Sequence, residues 1–179
     1  MTREENCKLI ASRVAWLCGL LGGLLLLSVG AMFLLDLRIT LQASSIPGIW
    51  QCKELPATSD VKVGDVVTFN SAWDVEGVKL GINTFNAPIM KEIVGVPGQT
   101  VTIDGDQVCI DGVPVKGCKI LKTDSLGRTL PHPKYPYVIP DDSYFLVSQN
   151  RAERGWDSRY FGPVPRKEFR EICHLFIRI

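Results

Sequence analysis

Apolar positions fall into two regimes along this chain. Over residues 14–35 they are nearly continuous, and VAWLCGLLGGLLLLSVGAMFLL holds no ionisable group except the Cys18 thiol. A helix over that stretch would be about 33 Å long, against roughly 30 Å of bilayer hydrocarbon, so one transmembrane helix is predicted there. Beyond residue 40 the apolar residues come in short runs rich in β-branched and aromatic side chains: DVVTF (65–69), IMKEIV (89–94), TVTID (100–104), QVCI (107–110), YVI (137–139) and YFLVS (144–148). Gly, Pro and Asp separate them, which predicts short strands. Asp104-Gly105-Asp106 reads as a hairpin turn and Asp111-Gly112 as a second turn soon after it. A polar, proline-rich segment from Lys116 to Pro136 reads as a long surface excursion. PRKEFREI suggests at most a short helical turn, and residues 40–179 carry no long amphipathic helix pattern. The fold class expected is therefore mainly β: an N-terminal helix followed by an antiparallel sheet or partly closed barrel.

Charge orients the helix. Arg3, Lys8 and Arg13 precede it and only Arg38 follows closely, so the positive-inside rule puts residues 1–13 in the cytoplasm and residues 36–179 outside it. The alternative is a removed signal peptide, whose apolar region normally runs about 7–15 residues; the longer stretch here favours a retained anchor. Residues 36–179 are close to the commonest size of a single domain. Across the chain 20 Lys and Arg face 19 Asp and Glu, a net charge of +1, so no nucleic-acid partner is suggested.

Cys52, Cys109, Cys118 and Cys173 would meet an oxidising compartment in that orientation. Cys109 and Cys118 flank the Asp111-Gly112 turn and are the favoured pair, with Cys52 and Cys173 as the other pairing considered. The CxxC pairs that a zinc site prefers do not occur, so no metal or cofactor is expected.

Candidate chemistry centres on Ser45, in SSIPGIW shortly after the apolar stretch. A serine hydroxyl needs a base within hydrogen-bond reach. The chain has two histidines, His132 in LPHP and His174 in ICHLFIRI, and neither lies in a recognisable catalytic turn. Lys91 is the other candidate. In an extended run Ile89, Lys91 and Ile93 share one face and Glu92 points to the other, so the amine sits among aliphatics, where desolvation lowers its pKa. A base near neutral pH needs that pKa to fall from about 10.4 to roughly 7–8.

SSIPGIW, VGDVVTF, IMKEIVGVPGQTVTIDGDQV and SQNRAERGWDSRYFGPVP resemble, in order, the sequence blocks of the type I signal peptidase superfamily. Within it, the Ser-x-Pro spacing followed by Gly and an aromatic, and the ending WDSRYFGPVP, are similar to the TraF-type maturation peptidases of conjugative transfer systems. The resemblance implies a membrane-anchored Ser/Lys peptidase with a mostly β catalytic domain on the periplasmic side of the bacterial cytoplasmic membrane. Its partners would be that membrane, an exported precursor such as a prepilin, and other conjugation components. It makes Ser45 the nucleophile and Lys91 the general base. Asp157 would be a third member holding Lys91 or Arg159 in place, the alternative being a structural Asp–Arg pair; Gly95, Pro97 and Gly98 read as turn residues.

Several positions depart from the family pattern. The general signal peptidase spacing, Ser-x-x-Pro, selects Ser44, whereas the TraF-like spacing selects Ser45. Glu92 stands where a basic residue is frequent, Ala43 lacks a side-chain oxyanion donor, and NRAERGWD offers no clear counterpart to the hydroxyl that many relatives hold near their lysine. Three functions follow: a TraF-like pilin peptidase that hydrolyses or cyclises its product, a general signal peptidase, or a catalytically silent pilus-assembly docking factor.

Overall fold

A computed structural model describes residues 3–41, 45–70, 77, 79–81, 88–150 and 155–179. The chain divides into two compact units, residues 1–38 and 39–179. The first is dominated by one helix, α1 (Arg3–Leu34). Its part Ile10–Leu34 is long and apolar enough to cross a membrane, and its large side chains, Leu20, Leu24 and Phe33 among them, lie exposed. The helix begins ahead of the apolar stretch because REENCK contains strong helix formers.

The second unit is mainly β. A short strand, β1 (Leu37–Thr40), spans the division, and the strands of the second unit proper are β2 (Gly48–Glu54), β3 (Val66–Asn70), β4 (Pro88–Gly95), β5 (Thr100–Asp104), β6 (Gln107–Ile110), β7 (Val113–Lys119), β8 (Tyr137–Val138), β9 (Ser143–Val147), β10 (Val164–Pro165) and β11 (Phe169–Arg178). A one-turn helix, α2 (Ser158–Phe161), lies between β9 and β10. Among the described residues two sheets form, in the orders β1-β2-β11-β3-β4-β9-β10 and β7-β6-β5-β8, and neither closes into a barrel.

Both predicted turns close hairpins. Gly105 has φ 63° and Asp104 faces Gln107, which suits a two-residue turn with glycine first. Asp111 (φ 49°) and Gly112 (φ 78°) both take the left-handed region, with Ile110 facing Val113, as an Asp-Gly turn favours. The start of the Lys116–Pro136 segment departs from expectation, since Lys116 through Lys119 form the end of β7 rather than opening a surface excursion. Leu121 and Leu130 of the remainder pack against Trp156 and Tyr160.

The largest departure is β11. PRKEFREI gives a 3-10 turn over Arg166–Glu168, then a strand that pairs with β2 on one side and β3 on the other. FREICHLFIR lacks the apolar alternation of an amphipathic strand; ladders on both edges, rather than local pattern, hold it extended. That placement also corrects the disulfide. Cys173 faces Cys52 directly across the β2–β11 ladder, with Cα atoms 4.1 Å apart, and these two are bonded. Cys109 instead faces Pro114, so Cys118 lies four residues further along β7, and both remain buried thiols. A turn between two cysteines does not pair them when the hairpin register sets their side chains apart.

β9 lends its two faces to two cores. Leu146 joins Val67, Phe69, Ile93, Val164 and Phe169, while Phe145 and Val147 join Val101, Val108, Ile110 and Ile139 beneath the smaller sheet. Each such buried side chain contributes roughly 1.5–3 kcal/mol. Gly95 ends β4 where the two cores meet: a Cβ there would lie 2.7 Å from Ile139 Cδ1 and 3.1 Å from Phe145 Cβ, so its role is close packing rather than turning. Gly98, with φ 81°, does occupy a turn.

Candidate active site

Lys91 comes to the site through the register of β4. It faces Val67 on β3 and shares its side of the strand with the fully buried Ile93, as the alternation in IMKEIV requires. Only 3% of Lys91 is exposed. On the other side of β4, Glu92 faces Val147 and Ile93 faces Leu146. The next pair in that antiparallel register is Lys91 with Ser148, the residue just past the end of β9. Its buried hydroxyl accepts a hydrogen bond from Lys91 Nζ at 2.9 Å.

The DSR block anchors this strand end. Two backbone N–H groups on the same edge of β9 would lack a strand partner, and side chains of the block take them: Leu146 N–H donates to Ser158 Oγ at 2.9 Å and Ser148 N–H to Asp157 Oδ2 at 2.9 Å. Asp157 is 0% exposed and also caps α2 by accepting from Arg159 N–H. Arg159, itself 1% exposed, grips both carboxylate oxygens, Nε to Oδ1 at 2.7 Å and Nη2 to Oδ2 at 2.8 Å. Its remaining donors reach Lys119 O at 2.7 Å and Gly155 O at 2.9 Å. The buried charge pair is therefore hydrogen-bonded throughout, the condition under which such a pair is tolerated in a core.

Burial pushes the Lys91 amine down from 10.5 to about 8; the Asp157 carboxylate pulls it partly back up, and Arg159 pushes it further down. Asp157 thus meets Lys91 through Ser148 and through its field, while its direct ionic partner is Arg159.

Ser45 is 2% exposed, at a bend three residues before β2. Its neighbour Ile46 is held at both backbone groups: its N–H points to Gln149 Oε1 at 3.4 Å and its carbonyl accepts from Trp50 Nε1 at 3.1 Å. Ile46 and Met90 each pack against the cluster of Trp50, Cys52, Val66 and Cys173, and Met90 precedes Lys91. Consecutive residues of one strand end, Ser148 and Gln149, thereby contact Lys91 and the residue after Ser45. Ser44 and Ala43 lie outside the described residues. His132 and His174 are both exposed.

Ser148 and Gln149 were not singled out from sequence; NRAERGWD itself holds no hydroxyl, and the one that meets the lysine is Ser148, ahead of that run in the block SQNRAERGWDSRYFGPVP. The hydroxyl comes from the start of that block, and the signal for it is the β4–β9 register.

The family model for signal peptidase, peptidase S26, matches residues 20–174. The chain belongs to the signal peptidase family. It is 34% identical over 137 residues to the conjugal transfer protein TraF of Agrobacterium fabrum (strain C58), covering 72% of this chain and 74% of the relative. It is 29% identical over 105 residues to a signal peptidase I of Leptolyngbya laminosa, covering 58% of this chain and 46% of that longer protein. A crystal structure of a signal peptidase I from Enterococcus faecalis V583 superposes with a TM-score of 0.41 at 22% identity, over 62% of this chain and 94% of the other, a score too low to bear on the argument. As a member of the family this protein is a signal-peptidase-like peptidase, related to TraF, with an apolar N-terminal helix that fits a membrane anchor or a signal sequence.

Proposed function

We propose that the protein is a membrane-anchored serine endopeptidase in which Ser45 is the nucleophile and Lys91 the general base. The observation that carries the reading is a lysine amine buried beside a hydroxyl, on the strand end that also contacts the residue after Ser45. Neutral Lys91 takes the proton from Ser45 Oγ as that oxygen bonds to the scissile carbonyl carbon. The tetrahedral oxyanion is met by the Ser45 backbone N–H, a kind of donor that typically contributes about 3 kcal/mol. Protonated Lys91 then gives its proton to the departing amine, leaving an ester on Ser45. Lys91 next deprotonates a water, which attacks the ester carbon; as the ester C–O bond breaks, Lys91 gives that proton to Ser45 Oγ, and both groups return to their starting state. An amine of the product could attack in place of water, forming a peptide bond and closing a circle. Asp157 supports the arrangement by holding Ser148 and Arg159.

In this reading α1 is a retained anchor in the bacterial cytoplasmic membrane, its N-terminus cytoplasmic and residues 36–179 periplasmic, and the substrate is an exported precursor. Similarity to conjugal transfer TraF favours a conjugative pilin precursor. The test is coexpression of candidate prepilins with wild type, Ser45→Ala, Ser44→Ala and Lys91→Ala proteins. Loss of processing with Ser45→Ala and Lys91→Ala, but not with Ser44→Ala, supports the reading; normal processing by Lys91→Ala sinks it. Product mass separates the acceptors, because a circular pilin lacks one water relative to the linear chain.

A further inference from the structure

We propose that residues 148 and 155 form a reciprocal pair in which one side chain, here Ser148, supplies the hydroxyl that positions the Lys91 amine, while the other must be glycine. The proposal rests on the Ser45 and Lys91 reading and adds a positioning residue and its required neighbour.

Two independent geometric observations support it. Ser148 is fully buried, its Oγ is 2.9 Å from Lys91 Nζ, and its backbone is fixed by Asp157. A neutral amine has two N–H bonds and one lone pair. Committing an N–H to a hydroxyl held in place restricts where the lone pair can point, which is what a base needs before it can accept a proton from another residue.

The second observation concerns Gly155. A Cβ built there runs into Ser148 Oγ, and would lie 2.8 Å from Ser148 Cβ and 2.9 Å from Arg159 Nη2. Side chains at 148 and 155 therefore compete for one space beside the lysine. Gly155 is not in the left-handed region, so its backbone accepts an L side chain; the nearest obstacle is Ser148, and the end of the Arg159 side chain must also give by a few tenths of an ångström. With residue 148 reduced to glycine, a serine at 155 would aim its hydroxyl into the volume that Ser148 Oγ now occupies. The position of the hydroxyl in space is constrained; its position in the sequence can be exchanged.

The test uses the full-length protein in detergent as wild type, Ser148→Gly, Gly155→Ser and the double variant Ser148→Gly/Gly155→Ser. Two readouts are taken: kcat and KM on a fluorogenic peptide spanning the cleavage site of the prepilin processed on coexpression, and the pH titration of the Lys91 Cε signal by NMR. Ser148→Gly is expected to lose about 100-fold in kcat with KM nearly unchanged, the size of a misdirected general base. Its Lys91 titration should move to lower pH, since the charged amine has lost an acceptor. Gly155→Ser alone should also fall, through collision, and the double variant should recover at least about tenfold over Ser148→Gly and bring the titration back toward wild type.

A folded double variant no better than Ser148→Gly in both readouts overturns the reciprocity. A wild-type rate and titration in Ser148→Gly overturn the positioning role. Should the double variant unfold, Ser148→Ala decides: it must lower kcat and move the titration, and a wild-type result for both refutes the proposal. Lys91→Ala with undiminished cleavage would instead refute the Ser/Lys reading, while the titration would still report whether residue 148 or 155 holds the amine.

Discussion

The Asp157 carboxylate accepts the backbone N–H of Ser148 at 2.9 Å, so the residue that touches Lys91 is tethered to the same acid that neutralises Arg159. Asp157→Asn keeps the shape but leaves Arg159 buried without its counter-charge, expected to cost about 3–5 kcal/mol in denaturant unfolding. Because Asp157 raises the Lys91 pKa and Arg159 lowers it, losing the carboxylate should shift the alkaline rise in activity of the folded fraction to lower pH. A rise displaced to higher pH would contradict the arrangement.

If neutral Lys91 is the active form, kcat/KM should climb as pH passes about 8, where burial has brought the amine. A rate that falls steadily from pH 6 to 9 is incompatible with a lysine base.

The same shift predicts a stability effect. The unfolded chain holds the lysine proton up to its ordinary value of 10.5 and the folded chain only up to about 8. Below pH 8 both states are protonated and the full cost of the buried charge is present; between 8 and 10.5 stability rises with pH; above 10.5 the cost is gone. The difference, 10.5 minus 8, corresponds to about 3 kcal/mol at 1.36 kcal/mol per unit. Lys91→Met should therefore be more stable than wild type at pH 7 by up to that amount, with the gap closing toward pH 11 in urea titrations. An equal gap at both pH values would show that burial of charge is not its cause.

Ser158→Ala removes the acceptor for Leu146 N–H without touching Lys91. A buried N–H left without a partner costs about 1–3 kcal/mol. Calorimetry should register that loss while the pH at which the folded enzyme's rate rises stays put, in contrast to changes at Ser148.

Alkylation before reduction should label Cys109 and Cys118 in the denatured chain and spare Cys52 and Cys173, which become reactive only after reduction. Replacing Cys173 by serine should cost about 2–5 kcal/mol, since the bond closes a loop separated by 121 residues. Labelling of Cys173 without reductant would refute the pairing.

Much of the fold was legible because its signals are local. The apolar run predicts α1 from length alone, Asp111-Gly112 carries the left-handed preference of its turn, and the alternation in IMKEIV puts Lys91 on the buried face with Ile93. β11 was not legible: its residues do not alternate, and it is a strand because β2 and β3 offer ladders on both edges.

The candidate site divides along the same line. A lysine among aliphatics, a serine beyond an apolar helix, and an acid two residues before an arginine can be read from neighbours along the chain, since their environments depend on strand alternation and short-range spacing. Which hydroxyl meets that lysine, and which cysteine meets Cys52, depended on strand register. Ser148 is 57 residues from Lys91, and Cys173 is 121 from Cys52. A shift of one residue in either ladder would turn those side chains to the opposite face. Tertiary packing set the register, because only one alignment buries Ile93 with Leu146 and Val67 while leaving Lys91 opposite Ser148.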